Sequence, residues 1–279
     1  MSYPLIINTF PYIWKYRIDE CVSHLAGRGY RRIEVMLTEP HCWPPSIDAS
    51  IRRDIGQRVR AKEIDIFSIN LGGFDNNFAS PAKEMRNYAA AIMASVIDLA
   101  AEWGARGIIM SPGLGRPLLP PPAAMLEGNL RASLDHLLPL ADRAGVELWL
   151  ENIPYSFLPK AEGLAALIES IGHRRLGACY DVPNAVFARE NPDDGLRRLH
   201  DHLRLVHFSD TGLDVWRHDR IGKGIVNFAG ALAVMKEIAY AGPLALEIID
   251  PDGDAAIDDS VAAVSALGVE SARALIEMH

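Results

Sequence analysis

The strongest constraint on this chain is a rhythm. Short apolar runs alternate eight times with longer amphipathic stretches, with no linker and no low-complexity segment between them. The short runs are residues 4–8, 32–37, 64–71, 107–111, 146–151, 176–181, 203–209 and 243–249. Most are rich in Val, Ile and Leu with little period-two alternation, the pattern of parallel strands covered on both faces. The stretches between them predict helices over 18–28, 47–62, 81–103, 121–144, 161–171, 184–203 and 228–241, and a last one over 258–278. Gly29, Gly104, Gly145, Gly172 and Gly242 follow several of these, as helix ends prefer. Open doubly wound sheets usually hold fewer repeats. The count and the length of 279 residues together predict an α/β fold, a single (β/α)8 barrel spanning 1–279. The proline-rich stretch 112–122 falls where a βα loop belongs.

Composition narrows the partners. A net charge of −8 and a pI near 5.6 oppose broad nucleic-acid binding, which needs basic surface to replace phosphate counterions. Cys21, Cys42 and Cys179 are odd in number, widely spaced and without a CxxC. They suit a reducing compartment better than a disulfide framework or a zinc finger. The opening MSYPLIINTFPYIW has no basic region, and Pro4, Asn8 and Pro11 interrupt its apolar run, so it does not read as a signal peptide. Charges break every apolar stretch well before the ~18 residues of a membrane span. The expectation is a cytoplasmic protein with no membrane or nucleic-acid partner. Its oligomeric state is open, with a homo-oligomer allowed.

In a barrel, chemistry sits at the C-terminal ends of the strands and in the loops that follow. Strand five ends in Leu150-Glu151-Asn152, strand six in Tyr180-Asp181, strand seven contains Val206-His207-Phe208, and strand eight contains Leu246-Glu247-Ile248. Four consecutive strands thus place Glu, Asp, His and Glu at one end of the barrel. Any one of them could be a paired core group. Three carboxylates and an imidazole converging there would repel each other without a cation, and buried ionised groups are costly unless paired or metal-bound. A mixed carboxylate and imidazole set suits Mn2+, Mg2+, Fe2+, Co2+ or Zn2+, and no thiolate is offered that would force zinc.

These runs, with Tyr180-Asp-Val-Pro-Asn-Ala185, Val206-His-Phe-Ser-Asp210, His218-Asp-Arg-Ile-Gly-Lys-Gly-Ile-Val-Asn-Phe228 and Gly29-Tyr-Arg-Arg-Ile-Glu34, resemble the xylose-isomerase-like TIM-barrel family. That family holds sugar isomerases, ketose 3-epimerases, hydroxypyruvate isomerase, inosose dehydratase and type IV apurinic-site endonucleases. The resemblance covers essentially the whole chain. It implies one divalent metal ion, manganese first among the candidates, held by Glu151, Asp181, His207 and Glu247. It also implies that Glu151 and Glu247 act as acid and base on opposite faces of a substrate. The chemistry fits: a metal on adjacent hydroxyl and carbonyl oxygens acidifies the C–H between them and stabilises an enediolate, and flanking carboxylates exchange the proton. The activity implied is isomerisation or epimerisation of a small sugar, a polyol-derived ketose or a hydroxy-keto acid, with an inosose-dehydratase type of lyase as the alternative.

One departure stands out. Where epimerases and endonucleases commonly carry a histidine three residues after the strand-six aspartate, this chain has Asn184. With the negative charge, that opposes a trinuclear nuclease site. Asn184, His41, Arg217, His218, Tyr12, Trp14 and Asn70 lie in or near strand-end loops and are expected to contact substrate. Glu34 reads as either a buried network partner or a pocket residue, and Asp210 as support for the metal site. His200 and His202 look like a metal pair, but two residues apart on a helix they would point to different sides.

Overall fold

The computed structural model describes residues 3–72, 75–116 and 118–269. Among them, eight parallel strands close into a barrel in sequence order. The strands are β1 (Leu5–Asn8), β2 (Arg32–Met36), β3 (Asp65–Asn70), β4 (Gly107–Met110), β5 (Glu147–Glu151), β6 (Leu176–Asp181), β7 (Leu203–Phe208) and β8 (Leu244–Leu246). Closure is made where Leu5, Ile6 and Ile7 run in register with Leu244, Ala245 and Leu246. The helices are α1 (Ile18–Gly27), α2 (Ala49–Arg60), α3 (Lys83–Trp103), α4 (Ala123–Ala144), α5 (Ala161–Ile171), α6 (Val182–Phe187), α7 (Pro192–Leu199), α8 (Phe228–Glu237) and α9 (Gly253–Ala266).

Two apolar layers result. The larger core lies between strands and helices. A smaller cluster of Ile6, Phe67, Ile109, Trp149, Cys179, Leu205 and Ala245 fills the barrel. Gly107 is required there, because a Cβ at that position would lie about 2.1 Å from the Trp149 ring. The small cluster also sets the chemistry. Trp149, Cys179, Leu205 and Ala245 each stand two residues before Glu151, Asp181, His207 and Glu247. Period-two alternation therefore turns all four polar side chains inward, one layer nearer the C-terminal end.

Three expectations need correction. The helix read over 184–203 is two helices. Asn191 caps the second through its side chain, and Pro192, lacking an N–H, sits at its first turn. His200 and His202 consequently lie in a turn, not on a helix. Strand eight is shorter than 243–249, so Glu247 follows the strand, its N–H donating to the Phe208 carbonyl at 3.1 Å. The last helix starts earlier than 258, at Gly253, capped by Asp252; the expected end at 278 lies outside the described residues. No helix of the described residues is long and apolar enough to cross a membrane.

Candidate active site

Glu151, Asp181, His207 and Glu247 meet at the C-terminal end of the barrel, all buried. Asp181 and His207 are partners in register across β6 and β7. His207 is the hub. Its Nδ1 lies 3.2 Å from Glu247, 3.3 Å from Glu151 and 3.7 Å from Asp181. Its Nε2 lies 3.1 Å from Glu34 Oε1. Glu34 is fully buried and fixed in turn, accepting from Asn8 at 2.6 Å and from Ser68 at 2.5 Å. Glu34 thus sets a carboxylate beside the far ring nitrogen at ion-pair distance, although that nitrogen makes no hydrogen bond.

Asp181 has a divided role. Oδ1 accepts the Asn184 N–H at 2.5 Å and caps α6. The backbone on either side of its carboxylate is held by Asn152, whose side-chain oxygen accepts the Asp181 N–H and whose amide donates to the Asp181 carbonyl. Oδ2, buried, has no hydrogen-bond partner. A bare buried carboxylate oxygen is costly unless a proton or a cation meets it.

The two glutamates differ. Burial drives Glu151 up to about 7, against the pull of its hydrogen bond to His207. Glu247 is as deeply placed, but His207 and His218 outweigh burial and hold it down to about 2. Asn8 and Asn70 also donate to Glu247 Oε1, at 3.2 and 3.0 Å. Burial, then the charges of Glu151 and Glu247, push Asp181 well above the usual carboxylate range. Burial opposes protonation of His207, yet the carboxylates of Glu34 and Glu247 carry it well above an ordinary histidine.

One ligand atom from each of Glu151, Asp181, His207 and Glu247 lies within 4.8 Å of the others. Together with the bare Asp181 Oδ2, this donor set fits a divalent cation that prefers oxygen and imidazole nitrogen. A second grouping, Glu151, Cys179 and His207, also exists. Burial holds the Cys179 thiol well above its usual range, so it stays protonated and packs within the barrel layer.

Above the cluster opens a cavity of about 950 Å³. Glu151 and Glu247 reach it from the floor, and Asn70, Asn184, Arg217 and His218 line it. Asn184 is oriented by Trp216, whose indole N–H donates to Asn184 Oδ1 at 2.6 Å. Indole only donates, so the amide nitrogen of Asn184 is left for other partners. Trp216 stacks on Phe187 and meets Tyr155 edge-on. His218 lies 3.4 Å from Glu247 and accepts from or donates to Ser209 at 3.0 Å; burial lowers its pKa.

Other candidates fall elsewhere. Tyr12 is buried and donates to Asp254 at 2.7 Å, because the chain turns through a short 3-10 helix right after β1. Trp14 beyond it is 76% exposed. His41 is buried, its ring held between the Tyr16 carbonyl and Thr9 Oγ1 at 2.6 and 3.0 Å, so its polar atoms are already engaged. None of the three is among the cavity-lining residues. Asp210 supports the long loop after β7 rather than the cluster. Its carboxylate accepts from the N–H groups of Thr211, Gly222 and Val226. Gly224 lets that loop close, since a Cβ there would lie 2.2 Å from the Thr211 carbonyl oxygen. Sequence reading left out Asn8, Ser68 and Trp216, which differ little from ordinary strand or loop residues until their partners are known.

The family model described as xylose isomerase-like TIM barrel matches residues 22–267. The chain belongs to that family. An uncharacterised protein of Methanocaldococcus jannaschii is 26% identical over 182 residues, covering 62% of this chain and 61% of that protein's length. Among solved structures, a D-tagatose 3-epimerase-like protein superposes with a TM-score of 0.81 at 19% identity, covering 95% of this chain and 98% of its own. An L-ribulose 3-epimerase gives 0.80 at 19% identity, covering 98% and 96%. The IolI protein, solved with a bound zinc atom, gives 0.81 at 15% identity, covering 95% and 97%. At these identities the family's solved members share this barrel's fold.

Proposed function

We propose that this family member is a divalent-metal-dependent isomerase or epimerase of a small sugar, ketose or hydroxy-keto acid. The observation that carries the reading is the placement of the two glutamates. Glu151 and Glu247 stand on β5 and just after β8, three strands apart around the ring, and both reach the cavity floor. Two carboxyl groups flanking one carbon are the arrangement that removes a proton from one face and returns it to the other. The epimerase neighbours and the zinc in the IolI neighbour support the same reading.

Glu151, Asp181, His207 and Glu247 would hold the ion, with manganese the first candidate. When bound, it supplies Lewis-acid polarisation of a substrate carbonyl and its neighbouring hydroxyl. The chain's own groups do the rest. Glu247, steadied by Asn8 and Asn70, takes the proton from the carbon beside the carbonyl, and the C–H electron pair moves toward the carbonyl oxygen. Glu151 takes up a proton from water or a substrate hydroxyl and delivers it to the opposite face. Asn184 offers its amide N–H to a substrate oxygen, and His218 and Arg217 bind further hydroxyls. The substrate is a small molecule, and nucleic acid is not a partner in this reading.

The test is an NMR assay in D2O with a panel of ketoses, inososes and keto acids, alongside elemental analysis of the protein. Solvent deuterium entering at the carbon beside the carbonyl, without water loss and with one divalent ion per chain, is the expected result. An enone or deoxy product would replace this reading with the lyase alternative.

A further inference from the structure

We infer that the true substrate is amphiphilic: a neutral keto sugar or related hydroxy-ketone bearing an alkyl or aryl substituent, which lies along the outer cavity wall. The inference rests on the proposed chemistry for its reacting end and deepens it. The cavity is divided by chemistry. Its floor gathers Glu151, Glu247, Asn70, Asn184 and His218, while Phe10, Trp43, Tyr88, Val215, Trp216 and Ile249 form much of its wall. A free sugar carries hydroxyls on nearly every carbon. Each one laid against such a wall without a partner costs about 1–3 kcal/mol.

Size points the same way. About 950 Å³ is near the top of the range for sites that take drug-sized ligands, and holds roughly 30 waters at ~30 Å³ each. A hexose on the floor would displace a minority of them. The wall also leaves large apolar side chains bare. Tyr88, Val215 and Ile249 are 51%, 53% and 45% exposed, and all three line this cavity. Exposed apolar surface continuous with a polar floor marks a binding groove. The charges at the lip select against an anionic substituent. Among the described residues, Glu39, Asp75 and Asp219 line it against one cation, Arg217, which stands 3.9 Å from Asp219. A phosphate or carboxylate on the outer group would meet three like charges.

The probes are glycosides of one keto sugar whose ketone lies on a ring carbon other than the anomeric one, so that it stays free. They differ only at the anomeric oxygen: methyl, hexyl and phenyl, with the free keto sugar alongside. Binding is read first, by tryptophan fluorescence titration of the metal-loaded protein, and turnover second, by deuterium incorporation. Phenyl and hexyl glycosides are expected to bind at least tenfold tighter than methyl. A double variant, Tyr88→Ser with Val215→Ser, is expected to shrink that ratio to threefold or less, with its thermal transition and metal content checked against the parent. A second variant, Ile249→Ser alone, is expected to shrink the ratio partly and keeps the test open where the double variant fails to fold. Equal affinity across the series would overturn the inference while deuterium exchange in the free sugar left the isomerase reading standing. Absence of exchange in every compound, with the affinity ratio intact, would overturn the isomerase reading instead. The rival occupant of the wall is a second copy of the chain. A dimer in sedimentation that Val215→Asp dissociates, with affinities equal across the series, would assign the wall to that interface.

Discussion

The two halves of the barrel do different work at the same site. From β5 to β8 come the groups that titrate or bind: Glu151, Asp181, His207 and Glu247. From β1 to β3 come the groups that hold them: Asn8 donates to both Glu34 and Glu247, Asn70 donates to Glu247, and Ser68 fixes Glu34 behind His207. Charge density is thus concentrated on one half and its orientation supplied by the other. The two glutamates also part company. Glu247 receives two amide donors from the first half, and His207 and His218 hold its carboxyl down to about 2, while burial drives Glu151 up to about 7. The comparison makes separable predictions for the two halves.

The largest effects belong to the second half. Glu151→Gln and Glu247→Gln each keep an oxygen that can face the ion but remove the proton carrier. Each is expected to lower kcat by about 10²–10⁴, with metal content retained by elemental analysis. Retention of most activity in both variants would move the acid and base elsewhere, with His218 the next group to test.

That half was also the legible one. An acidic residue or histidine inside a Val, Ile and Leu run is conspicuous, because its burial is costly without a reason. The ends of the strands that carry Glu151 and Asp181 came out of the sequence to the residue, and that of the strand carrying His207 came within one residue. Glu34 was visible as a buried acid, but its partner across the barrel was not, since nothing local says that β2 faces His207. Asn8, Ser68 and Trp216 carry no charge, so only three-dimensional contact distinguishes them. The substrate-facing guesses split by loop. Residues of the long loop after β7 reach the cavity because Asp210 ties that loop back over the barrel. Tyr12, Trp14 and His41 do not, although Phe10 and Trp43 of the same loops do, because the Tyr12 side chain turns to Asp254 and the His41 imidazole is locked to Thr9 and Tyr16. Loop direction depends on such distant partners, which strand periodicity cannot report.

The next effect is a pH dependence. With Glu151 at about 7 in the metal-free protein, metal must displace its proton below that pH. Apparent metal affinity should rise by at least tenfold per pH unit from pH 5 to 7. Stability of the metal-free protein carries the opposite sign. The folded state holds this proton more tightly than the unfolded chain, whose glutamate titrates near 4.5. Its contribution therefore falls as pH rises from about 4.5 to 7. Glu247 contributes stability above 4.5 that is lost as pH falls toward about 2. Chelator-competition titrations and thermal melts in EDTA, each compared with Glu151→Gln, measure these terms. A metal affinity flat between pH 5 and 7 would mean that Glu151 is not displaced by the ion.

The first half is expected to act through the ion. Glu34 accepts from Asn8 and Ser68 while facing His207 Nε2. Glu34→Gln places an amide N–H against one of those donors and weakens the hold on the imidazole. Metal affinity should fall about 10–100-fold. Activity at saturating metal should recover much further than in the Gln variants of Glu151 and Glu247. A kcat loss that excess metal does not reverse would give Glu34 a direct part in the chemistry and blur the division between the halves.

The smallest effect tests the loop that crosses that division. Trp216 donates to Asn184 Oδ1 at 2.6 Å, and its ring is stacked on Phe187. Trp216→Phe keeps an aromatic ring against Phe187 and removes only the indole N–H. Asn184 then loses the partner that fixes which end of its amide meets the substrate. Losing one neutral hydrogen bond is worth about 0.5–1.5 kcal/mol, so KM should rise roughly 2–12-fold. Because Asn184 is placed at a substrate oxygen and not at the reacting C–H, kcat and metal content should hold near their parent values. Asn184→Ala in the Trp216→Phe background should then add little, since the orientation that made the amide useful is already gone. If the two substitutions multiplied instead, Asn184 would keep its orientation without the indole, and Trp216 would serve only as cavity wall.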